Sequence, residues 1–167
     1  KAKALAGAAV RRLAFHEPLH TSSSSIHPDT LVIGGGIAGI QAALDLSAAG
    51  EQVVLVEREA TIGGAMAKLD KTFPTLDCAS CILTPKMVQT AHTPNIRIMA
   101  PAEVRSVAGF AGNFTVQIES QARYVTDACT SCQDCVGACP VSVPNPFDAG
   151  LGDRTAIFKP FPHAIPN

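Results

Sequence analysis

The sequence predicts an α/β fold in which two parallel strands flank a helix, and three observations support this prediction. Thr30–Ile33 is a short apolar run that ends at glycines, and Val53–Val56 is a second apolar run that ends at an acid. Between them, residues 40–48 have apolar side chains at helical spacing and are followed by Gly50. Short apolar runs bounded by turn residues predict strands, and helical spacing predicts the crossover helix. The expected order is therefore strand, tight turn, helix and strand.

The glycine-rich turn after the first strand matches the fingerprint of a Rossmann-like dinucleotide site. Its G-x-G-x-x-G spacing uses one glycine for the turn, one for close approach of a pyrophosphate, and one for packing of helix on strand. A pyrophosphate would lie at the positively polarised N-terminus of the helix. The alternative is an ordinary flexible turn. The candidate binding residues of this loop are Gly34, Gly36, Ile37, Ala38 and Gly39.

An acid closes the second strand, at the distance of about 20 residues that the fingerprint requires. Glu57 lies where a carboxylate can accept both hydroxyls of an adenosine ribose, and it would repel a 2′-phosphate. A ligand with a free 2′-hydroxyl, FAD or NAD, is therefore favoured over NADP. Arg58 is a further binding candidate, with an exposed charge as its alternative. Gly63 and Gly64 favour FAD, because many FAD enzymes have such a pair beside the diphosphate; a simple turn is the alternative.

Composition and charge exclude several other classes of protein. The 167 residues predict one domain, or one domain with a small module, and 47% hydrophobic residues suit a globular protein. A net charge of −1, from 13 basic and 14 acidic residues, gives no reason to expect nucleic acid as a partner. The longest apolar runs reach about half of the roughly 20 residues of a membrane helix, so no membrane span is predicted.

The amino-terminal stretch predicts a helix and a linker. Residues 1–15 have apolar side chains on one face together with basic residues, and we expect this helix to dock on another surface. An organelle transit peptide is the alternative. Residues 21–29 contain four consecutive serines and Pro28, which predict a linker.

The six cysteines are arranged as one C-x-x-C and one cluster of four with metal-ligand spacing, so a reducing compartment is expected. Cys78 and Cys81 form the pair, for which three roles remain open. They are a redox pair placed against a flavin, two ligands of an iron–sulfur cluster completed by another segment, or two buried thiols.

An antiparallel meander is expected between the two cysteine motifs. Strands are predicted over residues 95–99, 103–107, 113–119 and 122–125, with a hairpin turn at residues 109–113.

The second cysteine motif is the strongest signal in the chain. Cys129, Cys132, Cys135 and Cys139 precede a proline with C-x2-C-x2-C-x3-C-P spacing, which is that of bacterial ferredoxins. Zinc sites instead use two separated C-x-x-C knuckles. The spacing predicts a [4Fe-4S] site, in which Cys139 either closes a single cluster or ligates a second one. The tail, residues 141–167, is rich in proline and is predicted to be extended, without further strands or helices.

Taken together and in this order, the motifs resemble the A subunit of heterodisulfide reductase from about residue 30 to the end. The resemblance includes the glycine turn, the acid, the Gly-Gly pair and the ferredoxin motif. It also includes Leu-Asp-Lys-Thr-Phe-Pro at residues 69–74 and Cys-Ile-Leu-Thr-Pro-Lys-Met at residues 81–87. Family chains are much longer, so this sequence is expected to be a piece of such a protein or half of a split one.

The resemblance implies an oxidoreductase with an FAD fold of the glutathione-reductase and thioredoxin-reductase type and a ferredoxin-like insertion. In it Gly34, Gly36, Gly39 and Glu57 would hold FAD, and the four clustered cysteines would ligate [4Fe-4S] clusters. Such proteins are cytoplasmic, occur in methanogens and other anaerobes, and bifurcate electrons toward ferredoxin and a disulfide such as that of coenzymes M and B.

The implied partners are disulfide-reducing and iron–sulfur subunits, a hydrogenase or formate dehydrogenase, and ferredoxin, in an assembly that contains a homodimer. The remaining strands of the flavin fold would come from another chain or from further sequence. The expected organisation is a leader (1–29), a partial FAD-binding domain (30–126) and a ferredoxin-like module with the tail (127–167). Two other functions remain: a pyridine-nucleotide-disulfide reductase that uses Cys78 and Cys81, and a non-catalytic ferredoxin-like carrier.

Overall fold

The fold is built on a parallel sheet that carries packed helices. A computed structural model describes residues 1–21, 23–126 and 128–166, so Ser22 of the expected linker, Asp127 and Asn167 lie outside it. The helices there are α1 (Ala2–Leu13), α2 (Ile37–Ala48), α3 (Ala79–His92) and α4 (Asp134–Ala138), with 3₁₀ turns at Gly64–Lys68 and Pro146–Asp148. The strands are β1 (Thr30–Ile33), β2 (Val53–Val56), β3 (Ile96–Met99), β4 (Ala102–Phe110), β5 (Asn113–Ser120), β6 (Ser142–Pro144) and β7 (Asp153–Thr155).

The expected βαβ unit is present as β1, α2 and β2. β2 pairs in parallel with β1 on one side and with β3 on the other, so it is the central strand. Its Val53, Leu55 and Val56 are buried, as expected for a strand that is covered by neighbours. Ile40 and Ala43 of α2 are fully buried against it. The apolar periodicity of residues 40–48 is therefore the core-facing side of the helix.

Helix α3 was not predicted, and it changes the role of the third strand. The sequence predicts residues 95–99 as part of an antiparallel meander, which is wrong, because β3 lies in the parallel sheet beside β2. A helical crossover returns the chain in its original direction, so the strand that follows it pairs in parallel. Leu83 and Met87 of α3 are buried in the core with α2, although Pro85 lies inside the helix. This packing compensates for the hydrogen bond that proline removes.

The meander is reduced to one hairpin. β4 and β5 pair antiparallel from Ala102 opposite Ser120 to Phe110 opposite Asn113, with a bulge beyond Val104. Ala111 and Gly112 form the turn, and Gly112 has a φ of +90°, which a two-residue hairpin loop readily uses. The strand predicted over residues 122–125 is absent from the described chain, where residues 121–123 are irregular and residues 124–125 form a bend.

The tail is not extended throughout, as the sequence predicted. β6 and β7 pair antiparallel, and a 3₁₀ turn lies between them. The tail then returns to the parallel sheet, where Ala164 is 1% exposed and the Ile62 N–H donates to the Ile165 carbonyl at 2.8 Å. Proline is tolerated in such short edge strands, because edge positions do not all need an N–H donor.

Helix α1 forms as predicted, but none of its residues is buried. Leu5, Val10 and Leu13 are 71%, 66% and 65% exposed. The docking surface that we expected for this helix is therefore not provided by the described part of the chain. Within residues 1–21, 23–126 and 128–166, no helix has the length and apolar character needed to cross a membrane.

The position of α3 in the core leads to a stability prediction. Leu83→Ala should lower the free energy of unfolding by about 2 to 5 kcal/mol, because it leaves a cavity in a packed core. Val88→Ala on the same helix is the control, since Val88 is 42% exposed, and it should change stability by less than about 0.5 kcal/mol. Denaturant unfolding followed by circular dichroism measures both. Equal losses in the two variants would contradict the placement of α3.

Candidate functional site

The glycine turn between β1 and α2 has three glycines with three different structural reasons. Gly34 has a φ of +102°, a backbone conformation that other residues rarely adopt. A Cβ at Gly39 would lie 1.9 Å from the Gly34 carbonyl oxygen, so this glycine allows the helix to approach the turn. Gly36 is extended, with φ of −72° and ψ of 177°, and a Cβ there would meet no atom within 4 Å. Neither backbone nor packing requires glycine at 36, and the space beside it fits a ligand's diphosphate.

The N-terminus of α2 opens onto this space. Gly36 is the N-cap of a 12-residue helix, and Ile37 and Ala38 begin its first turn. N–H groups of a first helical turn have no partner within the helix, and the helix dipole makes this end positive. The structure therefore places the loop candidates where an anionic group would be held by backbone amides.

Gly63 and Gly64 lie beside the glycine turn. The Gly63 N–H donates to the Gly35 carbonyl at 2.7 Å, and Gly36 and Gly63 form a parallel bridge. A Cβ at Gly64 would lie 3.0 Å from the Gly36 Cα. The two glycine segments are thus side by side, as a diphosphate passing between them would require.

Glu57 connects the end of β2 to the glycine turn. Its carboxylate is largely buried, at 7% exposure for the residue, and accepts from the Gly35 N–H at 2.7 Å and from the Glu59 N–H at 2.8 Å. The sequence predicted ribose hydroxyls as partners and did not reveal these two backbone donors. A carboxylate has about four acceptor sites, so the two bonds leave capacity for a ribose. The Arg58 side chain is 78% exposed and lies 3.7 Å from Glu59, which agrees with the exposed-charge alternative.

Two cavities meet at Glu57. The first, of about 290 Å³, lies between the turn after β1 and the start of β4, and we call it the Val104 cavity after one of its lining residues. The second, of about 370 Å³, is the Glu57 cavity, which includes Gly64 and Lys68 and is closed by the tail. The tail residues in its wall are Pro146, Phe147, Phe158, Pro160 and Phe161. Sequence reasoning missed this wall, because nothing local indicates that the tail returns to the sheet.

Cys78 and Cys81 are joined by a disulfide at the start of α3. Cys78 is the N-cap, and its Sγ accepts from the Cys81 N–H at 3.2 Å. Both residues are exposed, so the alternative of two buried thiols is wrong. The redox-pair and cluster-ligand alternatives both remain open.

The ferredoxin motif surrounds a third cavity. Cys129 and Cys135 line this cysteine cavity of about 260 Å³, which lies between the motif and the tail. Ser131 and Gln133 have φ of 60° and 66°, so the chain turns sharply between successive cysteines. Such uncommon conformations in non-glycine residues are typical of functional loops.

The remaining thiols of the motif lie at its edges. Cys132 is exposed, and hydrogen bonds with the backbone of Ile157 and Val141 lower the pKa of the Cys139 thiol. The thiolate is the form that ligates metal, so the donor chemistry fits an iron–sulfur cluster. Among the described residues, however, no three histidine, cysteine, aspartate or glutamate residues are grouped as metal ligands. The four-cysteine ligand set therefore stays a prediction.

The cysteine cavity and the Glu57 cavity share part of their walls. Ala60, Phe158 and Pro160 line both. The tail thus lies between the proposed nucleotide and cluster sites and contacts both.

Comparison with known proteins identifies close relatives. Residues 29–138 match the family described as FAD dependent oxidoreductase. In Methanopyrus kandleri, the second of two CoB–CoM heterodisulfide reductase iron-sulfur A subunits is 55% identical over 100% of this chain and 26% of its own length. The A subunit of the H(2):CoB-CoM heterodisulfide,ferredoxin reductase of Methanothermobacter marburgensis is 50% identical over 99% of this chain and 25% of its own.

The chain spans about a quarter of the length of these relatives. Among solved structures, T. acidophilum thioredoxin reductase aligns with a TM-score of 0.46 and 23% identity, over 54% of this chain and 30% of that one.

Gly36 and Gly39 make a matched pair for testing the site. Gly39→Ala should destabilise the protein by about 1 to 3 kcal/mol, because the added methyl group meets backbone. Gly36→Ala should cost less than about 1 kcal/mol, the effect of changing an N-cap, yet it should weaken FAD or ADP binding at least about tenfold by filling the open space.

Thermal unfolding without ligand and calorimetric titration of each nucleotide measure the two effects. Unchanged nucleotide affinity in Gly36→Ala would exclude this turn as the diphosphate site.

Proposed function

This chain belongs to the FAD-dependent oxidoreductase family and is homologous over its whole length to the A subunit of heterodisulfide reductase, and from that premise we propose that it binds FAD and [4Fe-4S] clusters for electron transfer. The observation that carries the proposal is the open space at Gly36. Bound FAD supplies two-electron and one-electron chemistry, and clusters supply one-electron chemistry.

The residues have separate tasks in this proposal. The backbone N–H groups at the start of α2 hold the diphosphate, and Gly64 allows its close approach. Glu57 accepts the ribose hydroxyls while its bonds to the Gly35 and Glu59 amides fix the orientation of the carboxylate. The tail excludes water from the Glu57 cavity. These roles need no rearrangement of the sheet.

The cluster ligands in the proposal are Cys129, Cys132, Cys135 and Cys139. Two of these thiols already line the cysteine cavity, and the lowered pKa of Cys139 favours its thiolate. The shared wall of the two cavities supports short-range electron transfer between the nucleotide and cluster sites. Ligand binding would draw the remaining thiols together.

The proposal extends to the assembly. The name of the M. marburgensis relative includes H(2), the CoB-CoM heterodisulfide and ferredoxin. We therefore propose electron bifurcation toward ferredoxin and such a disulfide, in a cytoplasmic complex with disulfide-reducing and iron–sulfur subunits. A hydrogenase or formate dehydrogenase would supply electrons, and the protein that contains this chain would be present as a homodimer.

The sheet edge at β1 supports completion by further strands. β1 pairs only with β2 in the described chain, and Ile33 at its end is 64% exposed. An uncovered parallel strand is unusual, because parallel sheets are normally buried on both faces. Strands from further sequence or from another chain would cover it.

A second candidate function uses the disulfide. The exposed bond between Cys78 and Cys81 favours a pyridine-nucleotide-disulfide reductase, in which this pair exchanges electrons with a flavin. Anaerobic purification and a visible spectrum separate the two functions. Flavin bands with a broad iron–sulfur shoulder support the first, and flavin bands alone support the second.

Substitution of single cysteines tests the ligand set. Cys135→Ser should lose most of the iron bound after anaerobic reconstitution, because a hydroxyl is a poor substitute for a cluster thiolate. Cys78→Ser is the matched control and keeps its iron if the pair is redox-active. Iron per chain and the visible spectrum are measured for both. Full iron content in Cys135→Ser would contradict the proposed cluster, and iron loss in Cys78→Ser would make Cys78 a ligand.

A further inference from the structure

Lys68 is a cation that the proposed function does not use. It ends the 3₁₀ turn that begins at Gly64, and both residues line the Glu57 cavity. Gly64 in turn packs against Gly36, where the space for a diphosphate opens. The turn therefore places an ammonium group on the same cavity as the glycine segments.

Aromatic rings of the tail hold this ammonium group. The Lys68 Nζ lies 5.2 Å from the centroid of the Phe147 ring, within the range of a cation–π contact. The Phe147 and Phe161 rings are 5.7 Å apart, and Phe161 packs against the buried core of the sheet. Lys68 is thus positioned through two rings by the core, although its stem is exposed.

We infer that Lys68 is a diphosphate-binding residue of the dinucleotide site and that Phe147 is its positioning residue. The inference rests on the proposed FAD binding and adds a contact outside the glycine fingerprint. It also gives the tail a role in nucleotide binding, since the ring that orients Lys68 lies beyond the four-cysteine motif.

The charges around the cavity favour an anionic ligand group at Lys68. Glu57 and Glu59 also line the cavity, but the Glu57 carboxylate is bound by two backbone amides, and Glu59 lies 3.7 Å from the Arg58 guanidinium. Lys68 faces an aromatic ring instead of a carboxylate. A diphosphate carries at least two negative charges at neutral pH, and an ammonium group binds phosphate as a point charge.

The alternative is an exposed lysine whose stem merely covers the Phe147 ring. Long basic side chains often cover apolar surface in this way. In that case removal of the ammonium group would alter stability slightly and leave nucleotide affinity unchanged, so the two explanations differ in one measurable quantity.

The experiment is calorimetric titration of the full chain with ADP and with FAD. Lys68→Ala should weaken binding of both about tenfold, the order expected for a lost hydrogen bond to a charged group. The loss should shrink at high salt, because salt screens the interaction of an exposed charge. Lys68→Arg should restore most of the affinity, and Phe147→Leu should reproduce part of the loss.

Two matched controls and a folding check complete the design. Lys71→Ala removes a nearby exposed cation that does not line the cavity, and Phe110→Leu removes an exposed ring on the hairpin; neither should change ADP affinity. Melting curves from circular dichroism establish that each variant is folded. Unchanged ADP affinity in Lys68→Ala, or an equal loss in Lys71→Ala, overturns the inference and leaves FAD binding standing. A wild-type chain that binds neither ADP nor FAD overturns both.

Discussion

The buried hydrogen bond from the Gly35 N–H to the Glu57 carboxylate is the interaction on which the site depends. It joins the turn after β1 to the end of β2, two segments separated by a helix in sequence. Bonds of this kind, with a charged acceptor, contribute about 1.5 to 3 kcal/mol. Because the Gly35 carbonyl also accepts from Gly63, the same residue fixes the position of the second glycine segment. The open space at Gly36 follows from these two constraints.

A second set of contacts brings the tail to this site. The Thr61 hydroxyl donates to the Ile165 carbonyl at 2.8 Å, and the Ile62 N–H donates to the same oxygen. Residues 104 apart in sequence are thereby held together. The segment after the four-cysteine motif consequently forms one wall of the nucleotide cavity and one wall of the cysteine cavity. Nucleotide binding and cluster binding are expected to influence each other through this wall.

The parts of the fold that sequence reasoning reached are those with local signals. The glycine turn, α2 and β2 have distinctive spacing, and the FAD-dependent oxidoreductase fold that they predict is confirmed. Helix α3 was missed because Pro85 and a weak apolar periodicity hide it, although Leu83 and Met87 are buried. Its absence from the prediction caused the error at β3, since only a helical crossover makes that strand parallel. The predicted strand at residues 122–125 failed because β5 already ends the hairpin.

The sequence by itself determined the βαβ unit, the family, and the residue types that suit a diphosphate and a cluster. Those features depend on spacing along a few neighbouring residues, where glycine, glutamate and cysteine have distinctive chemistry. Tertiary structure alone decided that Glu57 is bound by backbone amides, that β3 joins the parallel sheet, and that Phe147 reaches Lys68. These are contacts between residues far apart in the chain, and they follow from burial of apolar surface, which is non-directional and names no partner in advance.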